Sequence, residues 1–169
     1  AASTESTEHG PVPVDIKVIP PTGALIMTGP NTGGKTVALK TTGLLVVMAQ
    51  TGLHVPAGPD SQVAVFRSVF ADIGDEQSIV TNLSTFSGHI TNIVAMDRHL
   101  SLPALVLLDE VGAGTDPVEG GALGSALIEY LRSRGALVVA VVVEWRHILT
   151  VAVGGDRVDG HAVTARHSI

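Results

Sequence analysis

Cysteine is absent from the 169-residue chain, which removes disulfides, thiolate nucleophiles and cysteine-held metals and fits a reducing, cytoplasmic setting. Aromatic residues are nearly absent as well, with three Phe, one Trp and one Tyr. A hydrophobic content of 45% with so few rings means an interior of Val, Leu, Ile and Ala, the composition of parallel strands covered by helices. Positive charge is also scarce. Ten Lys and Arg against sixteen Asp and Glu leave a formal charge of -6, which argues against this segment gripping a nucleic-acid backbone by itself. No apolar run reaches membrane-spanning length, and Ala1 to His9 is polar and acidic rather than charged and then apolar, so a soluble protein with no membrane partner is expected. No internal repeat occurs. The length suits one core in one domain.

What is present is glycine in a telling place. Gly29-Pro30-Asn31-Thr32-Gly33-Gly34-Lys35-Thr36 fits G-x-x-x-x-G-K-[ST], the pattern of a phosphate loop. Its context suits it: the apolar run Ala24-Leu25-Ile26-Met27 precedes it as a buried strand, and an apolar segment from Val37 to Ala49 follows as a helix. Glycines at 29, 33 and 34 let the backbone turn tightly and approach a ligand, so that main-chain N–H groups and the positive helix end face phosphates. Lys35 adds a point charge, and the Thr36 hydroxyl is placed for Mg²⁺.

Along the chain, residues 1–13, rich in Ser, Thr, Glu and Pro, read as a flexible lead-in. Order is expected from 14 to 143. Asp15 to Ile19 alternates polar and apolar as an edge strand does, and Pro20-Pro21-Thr22-Gly23 turns the chain into the strand before the loop. Gly52 stops the first helix. A short strand is expected at Val69 to Ile73 and a helix from His89 to Leu100, on Ile90, Ile93, Val94 and Met96. Leu105-Val106-Leu107-Leu108 is continuously apolar and ends in Asp109-Glu110, as a doubly buried strand does that delivers carboxylates at its carboxyl end. Asp116 caps the next helix, with Pro117 in its first turn and Glu119 completing the cap. Its expected buried face is Val118, Ala122, Leu123, Ala126, Leu127, Tyr130 and Leu131. Gly135 ends it, and Ala136 to Val143 reads as a further central strand. The alternation implies an α/β fold with a mostly parallel sheet flanked by helices.

Asp109 then stands as a Walker B carboxylate, holding Mg²⁺ opposite Thr36 from the neighbouring strand. Glu110 is the candidate catalytic carboxylate, polarising the water that attacks the γ-phosphate. Two loops narrow the reading further: Asn82-Leu83-Ser84-Thr85-Phe86-Ser87-Gly88-His89, which precedes the expected helix, and Gly112-Ala113-Gly114-Thr115-Asp116-Pro117 after the acidic pair. Together with Ala71 to Ser78, these segments resemble an ABC-type P-loop NTPase and, more closely, the ATPase domain of the MutS family in its Smr-bearing second bacterial branch, over about Val14 to Ala140.

That resemblance implies a homodimeric ATPase that binds Mg-ATP in two composite sites, each taking its phosphate loop from one subunit and its signature segment from the other. It implies Ser84, Thr85 and Ser87 as residues approaching the γ-phosphate in trans, Gln77 as the Q-loop residue sensing metal and water, and Asp116 as the D-loop residue communicating across the dimer. It further implies work on mismatched or branched DNA through domains this length does not hold, or ribosome-linked quality control. The family's strand matching Ala136 to Val143 is followed by a Thr-His pair, where this chain has Val141-Val142-Val143, so the switch histidine is missing. Residues 144–169 lose the family pattern and read as a divergent tail. The seven histidines offer no metal-binding spacing and read as solvated or capping residues.

Overall fold

Ala104 to Leu108 is buried at every position, with no residue above 2% exposed, as a strand covered on both faces requires. The computed structural model describes residues 14–29, 33–74, 82–113 and 116–142, with backbone alone for 82–87. The lead-in 1–13 and the stretch 143–169 lie outside these. In chain order the elements are β1 (Ala24–Met27), α1 (Lys35–Gln50), β2 (Ser68–Asp72), α2 (Asn82–His99), β3 (Ala104–Leu108), α3 (Pro117–Ser133) and β4 (Leu137–Val141).

The four strands form one sheet in the order β1-β4-β3-β2, and every neighbouring pair is parallel. Side chains alternate between its faces, as the period of two demands. Leu105, Leu107, Val139 and Val141 meet Leu39 and Val46 of α1 on one face. Ala104, Val106, Leu108, Val138 and Ala140 meet Met96 of α2 and Ile128 and Leu131 of α3 on the other. This is the α/β architecture read from the sequence, with helices on both faces of a parallel sheet.

Four expectations need correction. Asp15 to Ile19 is not a strand. Its alternation is real, because Ile16 and Val18 pack on the α1 side of the core, but packing alone satisfies it and no ladder forms. The strand carrying Asp109 is not next to β1, since β4 is inserted between them. The helix expected from His89 begins at Asn82, so the serine-bearing segment forms its first turns instead of a loop before it. Apolar spacing marks only where a helix is buried, and Ser and Thr in opening turns carry no such signal.

The face of α3 is the fourth. Its buried residues are Gly120, Gly121, Gly124, Ser125, Ile128 and Leu131, while Val118 and Tyr130 are 57% and 45% exposed. Small residues face inward because the backbone of α3 lies against the loop after β3. A Cβ at Gly112 would meet the Gly120 carbonyl oxygen at 2.2 Å, and one at Gly124 would meet Val111 Cγ1 at 3.1 Å.

Candidate functional site

The turn from β1 into α1 has the backbone of a cradle. Gly29 and Gly34 have φ of 132° and 71°, a region that costs glycine little and other residues more. A Cβ at Gly29, Gly33 or Gly34 would meet nothing within 4 Å, so the glycines front open space instead of making room for protein. Gly34 is the N-cap of α1, without a capping side chain or an acidic residue in the first turn. The helix's leading N–H groups therefore have no carboxylate or hydroxyl from the cap position, which leaves a positive helix end. Lys35 is almost buried at 8% exposure, and its Nζ donates to the Gly29 carbonyl at 2.5 Å, holding the ammonium against the loop. Pro30, Asn31 and Thr32 lie outside the described residues.

Asp109 follows β3, and Thr36 sits in the first turn of α1. The start of α1 spans the end of the inserted β4, because the Thr36 hydroxyl donates to Asp109 Oδ1 at 3.3 Å. A hydroxyl and a carboxylate brought together at a helix start are hard oxygen donors of the kind Mg²⁺ takes beside phosphate, so the residues present fit that ion. The structure brings these two side chains together by way of a strand two places from β1 instead of an adjacent one.

Glu110 is exposed at the carboxyl edge of the sheet and has φ of 47°. Among the described residues it is the single non-glycine with positive φ, a conformation that neighbouring structure must impose. The restraints are visible: the Asp109 N–H donates to the Asp72 carbonyl, the Val111 N–H to that of Val141, and the Ala113 N–H to that of Glu110, at 3.0, 3.2 and 2.9 Å. Gly112, at φ 84° and pressed on Gly120, completes the turn. Asp109, Glu110 and Gly112 line a cleft together with Asp72 and His89.

Asp116 caps α3 in its own chain, its Oδ1 accepting from the Val118 and Glu119 N–H groups at 2.9 and 3.3 Å. Ser84, Thr85 and Ser87 lie on the opening turns of α2, described there as backbone only, and Gln77 lies outside the described residues. Val141 ends β4, and Val142 is buried beyond it, its N–H donating to the Met27 carbonyl at 3.1 Å.

His89 departs from the expectation of a solvated or capping histidine. Its Nδ1 lies 2.6 Å from Asp72 Oδ2, and Asn92 Nδ2 donates to Asp72 Oδ1 at 3.0 Å. Sequence reasoning missed this group, although Asp72 ends a strand just as Asp109 does, and the carboxyl ends of parallel strands are where such residues gather. Among the described residues there is no cluster of three metal-ligating side chains and no helix long and apolar enough to cross a membrane.

The family model described as MutS domain V matches residues 25–165, which runs past Ala140, the limit of the motif resemblance. Endonuclease MutS2 of Symbiobacterium thermophilum is 55% identical over 152 residues, covering 90% of this chain and 19% of that protein. Endonuclease MutS2 of Pelotomaculum thermopropionicum is 54% identical over the same coverage, and that of Halalkalibacterium halodurans is 59% identical over 129 residues, 76% of this chain and 16% of its own length. The chain thus spans about a fifth or less of these curated relatives. With 141 of its 169 residues inside the family model, the chain belongs to the MutS family, and its similarity lies with the MutS2 branch.

Proposed function

We propose that this chain is an ABC-type ATP-binding and hydrolysing domain that works as a homodimer and drives DNA handling by a longer protein. The observation carrying the reading is the meeting of Thr36 and Asp109 in front of an uncapped helix start and an open glycine cradle. The first-turn N–H groups of α1 and the ammonium of Lys35 bind the phosphates of ATP, and Lys35 exchanges its Gly29 partner for the β- and γ-oxygens. Mg²⁺, when bound through Thr36 and Asp109, neutralises charge developing on the phosphates. Glu110, aimed by its positive φ, accepts a hydrogen bond from the attacking water and orients it in line. Gln77 senses that water and the metal. Ser84, Thr85 and Ser87, on the first turns of a helix whose positive end they share, complete the partner subunit's site, and Asp116 communicates between subunits.

Mismatched or branched DNA, or a ribosomal substrate, is contacted by parts of the longer protein. The charge of -6 on this chain agrees with that division. A second reading, a nucleotide-binding and dimerisation module without efficient turnover, is favoured by Val141-Val142-Val143, which stand where the resemblance calls for a Thr-His pair and so leave out the switch histidine.

Calorimetric titration with Mg-ATP and measurement of phosphate release separate the two. Lys35→Ala is expected to weaken binding about 10- to 100-fold, the value of one lost charge-assisted contact, and an unchanged dissociation constant would overturn the phosphate assignment. Glu110→Gln is expected to keep binding and lose at least about 100-fold in turnover. Tight binding with no phosphate release from the unsubstituted chain would establish the module instead.

A further inference from the structure

Asp72 closes β2, is only 8% exposed, and has no role in the reading above. Its side-chain and main-chain oxygens reach two different parts of the fold. His89 Nδ1 and Asn92 Nδ2, three residues apart on one face of α2, each take one of its carboxylate oxygens, at 2.6 and 3.0 Å. A carboxylate only accepts, so the imidazole proton of this contact sits on Nδ1. The backbone carbonyl of the same residue accepts the Asp109 N–H at 3.0 Å. Among the described side chains of α2, the buried apolar anchors are Ile93 and Met96. Both lie beyond His89, so among the described side chains this clamp is the tie nearest the helix's beginning.

We propose that Asp72 is a positioning residue that locks the first half of α2, and with it the Ser84-to-Ser87 segment, to the strand end that presents Asp109. Side chain to α2 and main chain to β3 make one rigid route, so the part of the domain offered to the partner subunit and the carboxylate facing this subunit's metal move together. His89 and Asn92 are the two pins of that route. The proposal rests on the ATPase reading for its consequence, because that reading assigns work to both ends. Its physical content is independent of turnover.

Amide hydrogen exchange of the whole chain, with and without Mg-ATP, tests it. In the unsubstituted protein, Mg-ATP is expected to slow exchange in α2 as well as in α1. Asp72→Ala is expected to raise ligand-free exchange in α2 about tenfold or more, as losing two hydrogen bonds to a carboxylate would. It should also abolish the Mg-ATP effect there, with β3 still protected and Mg-ATP affinity within about a factor of two. His89→Asn, which keeps a donor near the Nδ1 position, should restore the behaviour that His89→Ala loses. Unchanged α2 exchange in ligand-free Asp72→Ala, or in His89→Ala should the first variant not fold, overturns the clamp. So does a Mg-ATP effect on α2 that survives either change. Failure of the unsubstituted chain to bind Mg-ATP would sink the ATPase reading, while the ligand-free exchange would still decide the clamp.

Discussion

Thr36 and Asp109 stand 73 positions apart in the chain, yet their oxygens approach to 3.3 Å. Neither residue type is informative alone; a threonine in a helix's first turn and an aspartate after a strand are both ordinary. What distinguishes them is that a glycine N-cap leaves the start of α1 without a competing side chain, so the helix's positive end stays directed at the same space. Asp116 gives the contrasting case, since it spends its carboxylate on the N–H groups of its own helix. The one tyrosine of the chain allows a further check at this scale. Tyr130 is shifted above the ordinary tyrosine range, first by the neighbouring Asp97 side chain acting as acceptor, with desolvation and the Asp97 charge adding to it. A raised folded-state value means that the small stabilisation it carries is complete below the unfolded value near 10 and is lost as pH rises through the folded one. An ultraviolet titration should therefore show Tyr130 ionising later than it does in Asp97→Ala, and coincident curves would refute the influence of Asp97.

At the scale of elements, glycines divide into those that admit protein and those that admit ligand. Gly43 of α1 belongs to the first kind: a Cβ there would lie 2.2 Å from Leu107 Cδ1, and Leu107 is itself 2% exposed and has nowhere to go. Gly33 belongs to the second, with open space before it. Gly43→Val should lower unfolding stability by about 1–3 kcal/mol through overpacking of α1 on β3, which for a chain of this size is a melting shift of roughly 2–4 °C per kcal/mol. Gly33→Ala should leave the melting temperature unchanged and weaken Mg-ATP binding, because its methyl group keeps the phosphates from the loop backbone. Equal melting loss in the two variants would mean that both positions serve packing alone. The same distinction explains why the buried face of α3 escaped the apolar pattern. Glycines 120 and 124 bury backbone by close approach, and a hydrophobicity pattern does not register that.

At the scale of the molecule, the proposed composite sites make a prediction that does not depend on either half alone. Lys35→Ala disables a phosphate loop and Ser84→Arg blocks a signature segment, so each variant by itself should be nearly inactive. Mixed in equal amounts, half of a randomly exchanged twofold dimer population is heterodimeric and carries one intact site of two, so about a quarter of the unsubstituted turnover should return. If mixing recovers no phosphate release although sedimentation detects heterodimers, sites shared between subunits are ruled out. Such sharing would give the Asp72 link its use, since α2 carries the segment offered outward and β3 the carboxylate kept at home.

How much was legible beforehand follows from the range of each interaction. The glycine loop, the doubly buried strand ending in Asp109-Glu110, the Asp116 cap and the alternation of strands with helices are all written in short stretches, because turn chemistry, capping and periodicity act over a few residues. Strand order is different. That β4 enters between β1 and β3, that a pair of small-residue faces meets at Gly112 and Gly120, and that His89 pairs with Asp72 were decided only in three dimensions. Each depends on which distant surfaces come into contact, and hydrogen bonds and close packing between residues far apart in the chain leave no local period to read.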